Sequence, residues 1–360
     1  MIALLLEPQD LLFCRDGRPI VAGEGAAAGT ALPNPQVLAG ALRTHLLKKR
    51  GQLIDGKANE QAIARVMQVH LRGPLLWQDD YPLLPFPADC VCATKPKHGQ
   101  GEDHSEPYRL LLPLNSELPG WRAPADFPNL RPMWASQPTV RDNSDTSRLR
   151  AWHPRTGYLS WKGFQAWAAG KAPQGSDHVD VAKLFVTEAR TQVGLNVTEA
   201  TAEEGRLFTT RYLRFQAGVR FYCEVEGADE LGQESFTLHL GGDRRLVHAS
   251  PIDPVKWPLA SGLRTCALAI TPTILPASGA LAPNDWQASL RGAVVPGTEA
   301  ISGWDLAAGH GQGAPRPTRF ALRPGAVWHT EGLSSWPKQI GSETETGFGW
   351  LAWGQRGNIQ

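Results

Sequence analysis

The sequence predicts an α+β protein built as two domains or one double domain, and three observations carry that prediction. An apolar first strand is followed by a well-capped helix, and from Leu184 onward the apolar residues alternate with period two. The third is size: 360 residues with 42% hydrophobic content are more than one compact core holds and too apolar for disorder.

Taken in order, Ile2 to Glu7 reads as the first strand, and the glycine- and alanine-rich stretch from Gly17 to Thr30 is a loop that cannot pack a core. The next segment, Pro33 to Lys49, predicts the best helix of the chain: Asn34 can cap it and Pro35 suits the first helical position. At helical spacing Val37, Leu38, Ala41, Leu42, His45 and Leu46 gather on one side. Arg43 and Arg50, seven apart, are expected on the opposite, polar face, with Lys48 and Lys49 at the basic end.

A second helix is expected from Asn59 to Leu71, after which the chain is rich in proline and tryptophan. Lys95 to Pro107 is polar and without period and reads as a surface insertion; Arg141 to Arg155 is a second such segment, this one basic. Strands are expected at Leu184–Arg190, Leu207–Phe215, Val219–Val225, Phe236–Leu240 and Leu246–His248. Within Arg220–Glu226, Phe221, Cys223 and Val225 face one way and Arg220, Tyr222, Glu224 and Glu226 the other, the pattern of a half-buried antiparallel strand. Gly241 to Arg245 links two strands as a turn. A helix is expected around Pro254–Gly262, then a strand at Thr265–Ile270 and a final strand pair at Arg316–Leu322 and Ala326–His329. No short fixed-period repeat is present, which excludes solenoids and propellers; a duplicated α+β unit stays open.

Composition narrows the function classes. No stretch approaches the roughly 20 apolar residues of a membrane helix, and the first residues lack a secretory pattern, so a cytoplasmic protein without membrane partners is expected. Cys14, Cys90, Cys92, Cys223 and Cys266 are odd in number and scattered, so disulfides are not expected. The net charge of +1 hides a local basic side: residues 1–72 carry nine basic and six acidic residues, and residues 131–220 carry thirteen and eight. Residues 73–130 and 221–360 balance them, which fits a defined basic surface on a neutral body and not a free-standing polyanion binder.

Two glycine-rich signatures frame the chain: Phe13-Cys14-Arg15-Asp16-Gly17-Arg18-Pro19 near the start, and the run from Gly341 to Trp350 containing Gly347 and Gly349. Bare backbone beside guanidinium groups suits phosphate. Arg15, Arg18, Arg43, Arg244 and Arg245 lead the candidates for phosphate contact, joined by Asn34, Gly241, Gly242, Gly347 and Gly349. Arg148, Arg150, Trp152 and Arg155 of the basic segment complete the set, Trp152 as a stacking ring. Each has a plainer reading: a local salt bridge around Asp16 for Arg15 and Arg18, a solvated helix face for Arg43, and a hairpin turn for Gly241 and Gly242. For Gly347 and Gly349 it is strand glycines that let Trp350 and Trp353 pack, and for the basic segment a solvated loop.

Catalysis has less support. Cys90, Cys92, His98 and His104 lack a zinc-finger arrangement, so no metal is expected, and no cofactor either. No Ser/His/Asp order, phosphate-binding P-loop or paired carboxylates for Mg²⁺ stand out. His45 lies on the apolar helix face, where a core role is the plain reading; His153 is the one histidine in a basic loop.

Read together and in this order, several signatures resemble one family. They are Leu11 to Pro19, Leu32-Pro33-Asn34-Pro35 with Ala39 to Thr44, Glu188 to Gly194, Glu204 to Thr209, Leu240 to Arg245, Ser302 to Asp305 and the terminal glycine loop. The chain resembles, end to end, the RAMP-superfamily third subunits of type III-B CRISPR (Cmr) effector complexes. The family's loop before the first helix often carries serine or threonine, where this chain has Gly25 to Gly29. The resemblance implies two ferredoxin-like (RRM-like) RAMP domains, expected at 1–180 and 181–360, with glycine-rich loops that contact guide RNA. It further implies a non-catalytic cap on the crRNA 5′ handle, docked beside the large polymerase-like subunit and the backbone RAMP subunit. Related RAMP proteins cleave CRISPR transcripts with a histidine, so a processing endoribonuclease is one alternative and a purely structural bridge another.

Overall fold

A computed structural model describes residues 1–15, 30–53, 58–92, 108–114, 121–135, 153–196, 201–258, 264–276, 281–305 and 314–356. Its frame is a pair of antiparallel sheets. The first contains β1 (Ile2–Pro8), β2 (His70–Gln78) and β3 (Tyr81–Pro82). A long, self-paired ribbon of β4 (Phe185–Asn196) and β5 (Thr201–Phe215) precedes its remaining strands, β6 (Arg220–Glu226), β7 (Phe236–His239) and β8 (Leu246–Ile252). The second sheet holds β9 (Cys266–Ala269), β10 (Leu290–Val294), β11 (Val327–Thr330) and β12 (Leu351–Gly354).

Strand order shows a duplication that no short repeat betrays. The first sheet runs β7-β8-β1-β6-β2-β3, so its four principal strands lie fourth, first, third, second; the second sheet, β10-β11-β9-β12, has the same order reversed in reading direction. Both fit the ferredoxin-like β-α-β-β-α-β plan. The helices are unevenly kept: α1 (Pro35–Lys49) and α2 (Glu60–Met67) connect β1 to β2, whereas short 3₁₀ turns at Asp229–Gly232, Asn284–Trp286 and Thr344–Thr346 stand at the other helix positions. Strands on both sides of residue 180 share the first sheet, so a division at 180/181 runs through it, and the break between the two sheets falls between β8 and β9.

The cap on α1 is the expected one: Asn34 Oδ1 accepts the Val37 backbone N–H at 3.1 Å, and Pro35 opens the helix. Leu38, Leu42 and Leu46, at i, i+4, i+8, are fully buried against the first sheet, each stabilising the fold by about 1.5–3 kcal/mol. α2 is capped by Asn59 but stops at Met67, because Leu71 belongs to β2. Pro254–Pro258, expected to begin a helix, is irregular. The strands expected to form a final pair go to different partners: Arg319–Leu322 pairs with Thr298–Ile301, while β11 pairs with β9 and β10.

Both faces of the first sheet are covered. Leu4 and Leu6 pack with α1 and α2, while Ala3, Leu5, Leu75, Trp77 and Tyr222 meet Cys266, Leu268, Val327 and Ala352 of the second sheet and α3 (Trp161–Ala168). β6 is therefore not half-buried as its alternation implies. Tyr222 and Glu224 lie inside, and Glu224 is satisfied by Arg72 at 3.0 Å, the Tyr222 hydroxyl at 3.0 Å and Trp257 Nε1 at 2.9 Å.

Candidate nucleic-acid interface

The turn from Gly241 to Arg245 joins β7 to β8 and folds back onto the first glycine-rich signature. Gly242 N donates to Phe13 O at 2.7 Å, and a Cβ on Gly241, at φ +77°, would lie 2.5 Å from that same carbonyl. Glycine is required here by both backbone angle and closeness. On its other side the segment is clamped to β5, since Leu12 and Leu213 exchange backbone hydrogen bonds of 2.9 and 2.8 Å. Arg15 then forms an isolated antiparallel bridge with Thr30.

Tyr212 anchors the corner. Its hydroxyl donates to Asp243 Oδ2 at 2.6 Å and accepts from Gln192 Nε2 at 2.6 Å, and its ring packs on Phe13. Burial first, and the Asp243 carboxylate second, raise its pKa, so the phenol stays a donor. Arg245 lies 4.9 Å from the ring centroid and pairs with Asp10 at 2.8 Å, which makes it a brace of the corner. Arg244 and Arg15, by contrast, are exposed, and among the described residues neither side chain has an ion pair. Asp243 and Arg244 hold positive φ of 54° and 49° as the central pair of a type I′ turn closed by Arg245 N to Gly242 O at 3.4 Å.

The ribbon rises from this corner for about 40 Å at the usual strand rise. It is longer than expected from sequence, where β4 ended at Arg190 and β5 began at Leu207. Arg190 and Arg214 both bind Glu188, at 2.8 and 2.7 Å, and hold its carboxyl below the usual range. Arg211 is exposed on the same ribbon, as are the apolar side chains of Val186, Val193, Leu195 and Leu207. The corner therefore offers outward cations, turn backbone and an aromatic support, a combination able to hold a phosphate backbone.

Other expected site residues lie elsewhere. Arg43 is 8% exposed, not on a solvated face: its Nη2 donates to Val69 O at 3.1 Å and to Met67 O and Glu345 O at 3.4 Å. The reason is helix phase, because Arg43 follows Leu42 and precedes Leu46 and Leu47 on a stripe wide enough to enclose it. Burial lowers its pKa, opposed by the Glu345 carboxylate. Gly347 and Gly349 are also buried: a Cβ on Gly347 would approach Gly73 O at 2.7 Å, and one on Gly349 would overlap Ile340 O, both at positive φ. Asn34 spends its side chain on the cap, and the neighbouring Gln36 is held by Ser302 O and Arg319. Arg155 is half-buried, while Arg18, Arg148, Arg150 and Trp152 lie outside the described residues. So two of the expected loops, around Arg15 and around Gly241–Arg245, come together, and the C-terminal glycine loop does not join them.

Sequence reading missed Tyr212, Gln192 and Asp243, and also a buried polar knot of Asp89, Cys266, His329 and Arg356. Tyr212 carried a signal, an aromatic between Arg211 and Leu213 on an alternating strand; the knot carried none, being assembled from distant segments. Among the histidines, His45 is half-buried and stacks on Phe236 at 4.1 Å, and burial, then Lys49 and Lys48, lower its pKa. His329 is buried with its pKa pushed down to about 4 by desolvation, and the side chain of His153 lies outside the described residues. No helix among the described residues is long and apolar enough to cross a membrane.

Comparison with known proteins bears on this arrangement. The sequence profile of the family described as CRISPR-associated protein (Cas_Cmr3) matches residues 4–356. A chain in the cryo-EM structure of the Type III-B Cmr-beta bound to cognate target RNA is similar in fold, with TM-score 0.53 and 13% identity over 91% of this chain and 86% of that one. A chain of the same assembly bound to cognate target RNA and AMPPnP gives TM-score 0.51 and 14% identity over the same shares. No curated protein matches the sequence.

Proposed function

The chain belongs to the CRISPR-associated Cas_Cmr3 family, and from that premise we propose that it is a non-catalytic, crRNA-binding subunit of a type III-B (Cmr) interference complex. In this reading two ferredoxin-like RAMP modules form a cytoplasmic scaffold that holds the 5′ handle of the guide RNA and bridges to the large polymerase-like and backbone subunits. The observation that carries it is the junction of Phe13–Arg15 with Gly241–Arg245, sealed by the Gly242 N to Phe13 O bond and leaving Arg15 and Arg244 exposed. Phosphates of the handle lie along these two arginines and the turn amides; the rigid Tyr212–Asp243–Gln192 corner spares the RNA the cost of ordering them. The ribbon, with Arg211 and its exposed apolar side chains, faces the neighbouring subunits and the guide.

The test is a metal-free incubation of the full chain with labelled repeat RNA and with handle-bearing crRNA, read for retention and cleavage on one gel. Intact handle RNA is retained, and the paired charge reversal Arg15→Glu with Arg244→Glu weakens retention at least tenfold while the protein stays folded. Specific cleavage of the repeat would make the chain a processing enzyme and overturn the non-catalytic assignment. No retention of either RNA would reduce it to a structural bridge, and binding indifferent to the charge reversal would move the RNA contact away from this corner.

A further inference from the structure

We propose that Asp89, Cys266 and His329 form a buried site for one divalent transition-metal ion of the zinc class, fastening the second sheet to the segment inserted after β3. The three donor atoms come from distant parts of the chain yet lie within 4.8 Å of one another. Asp89 and Cys266 are fully buried and His329 is 2% exposed. Cys266 and His329 are direct partners across β9 and β11, a register that places their side chains on one face of the sheet. Asp89 reaches the same point from the turn before the strand Cys90–Cys92.

His329 Nε2 supplies the second, independent observation. It has no hydrogen-bond partner among the described residues, and the atom facing it, Asp89 Oδ2, is 3.6 Å away. That spacing is too long for a hydrogen bond but matches the edge of a tetrahedron with metal bonds of 2.0–2.3 Å, about 3.3–3.8 Å. Cys90 Sγ donates to the other carboxylate oxygen, Asp89 Oδ1, at 3.7 Å, so three protein donors converge and a water takes the fourth position of the tetrahedron. A thiolate, an imidazole and a carboxylate together suit zinc and not magnesium or calcium, which take oxygen ligands.

The surroundings have the form of an outer shell. Asp89 Oδ1 accepts from Trp167 Nε1 at 2.9 Å and from Cys90 Sγ at 3.7 Å, while Oδ2 accepts from Arg356 Nη2 at 3.0 Å, so the carboxylate is oriented and Oδ2 keeps a lone pair towards the site. The charge of Arg356 is met by Asp89, and the Cys266 thiol meets one of the two charges of the metal by releasing its proton to solvent. This set is not Cys90, Cys92, His98 and His104 of the sequence pattern, whose two histidines lie outside the described residues.

The experiment uses untagged full-length protein purified without chelator, analysed for bound metal and then titrated with Co²⁺. About one equivalent of zinc is expected, with Co²⁺ giving thiolate charge-transfer and tetrahedral visible bands. Cys266→Ser and His329→Gln weaken Co²⁺ binding at least tenfold, and the triple variant Cys92→Ser, His98→Ala, His104→Ala keeps it. Absence of the thiolate–cobalt bands in the wild type overturns the proposal, as does loss of metal in the triple variant alone. Should the Cys266 and His329 variants fail to fold, the wild-type titration and the triple variant still decide.

Discussion

Two loops that both rely on glycine at positive φ, Gly241–Arg245 and Gly341–Gly349, sit in opposite environments. Gly241–Arg245 caps a hairpin at the sheet edge, where its backbone touches Phe13 and its Arg244 reaches solvent. Gly341–Gly349 is wrapped against α1 and β2, with Gly347 and Gly349 inside and Glu345 O holding Arg43. Glycine at positive φ reports what the backbone needs at that point, and nothing about whether water or RNA reaches it. An arginine beside such a loop is likewise two different things: Arg43 is a strut, and Arg244 is a hand.

Four substitutions test that contrast, beginning with the largest effect on stability. Gly349→Ala drives a Cβ into the Ile340 carbonyl at φ +67°, so denaturant unfolding is expected to show a loss of roughly 3 kcal/mol or more. A loss under about 1 kcal/mol would mean that this loop, too, has room to give. Arg43→Ala leaves three carbonyls without their donor and costs about 2–3 kcal/mol, while handle affinity of the folded fraction is unchanged. A stable Arg43→Ala protein with lost RNA binding would turn the strut into a contact.

Gly241→Ala, against Phe13 O at the edge of the sheet, is expected to cost about 1–2 kcal/mol and to weaken handle binding as well, because the clash parts the two loops. Arg244→Ala is the smallest in stability, within about 0.5 kcal/mol. Its effect is on RNA alone: affinity falls, and the slope of log affinity against log salt drops by about 0.7 for each phosphate released. Equal slopes for wild type and variant would remove Arg244 from the interface.

Much of the local structure was legible because its causes are local. The Asn34-Pro35 cap, the α1 leucine stripe and the β7–β8 turn arise from neighbours a few residues apart, and they form where expected. α2 was read too long because its apolar pattern continues into β2, where the same residues serve a period of two. The ribbon was read too short because the Gln192–Arg206 span is polar and contains Gly194 and Gly205; it is held by cross-strand pairing, not by a buried face. Arg43 was misplaced because a helix in a deep groove buries more than its apolar residues.

By itself, then, the sequence determined which segments are helix, strand and turn wherever hydrogen bonds and apolar spacing close within a few residues, and its ordered signatures determined the family. Tertiary structure alone decided that two sheets share one strand order with their break after β8, that Phe13 meets Gly242, and that Asp89, Cys266 and His329 converge. The physical reason is common to all three. Each depends on contacts between segments separated by tens to hundreds of residues, whose closure is decided by the packing of whole faces, and no local pattern encodes which face will be covered.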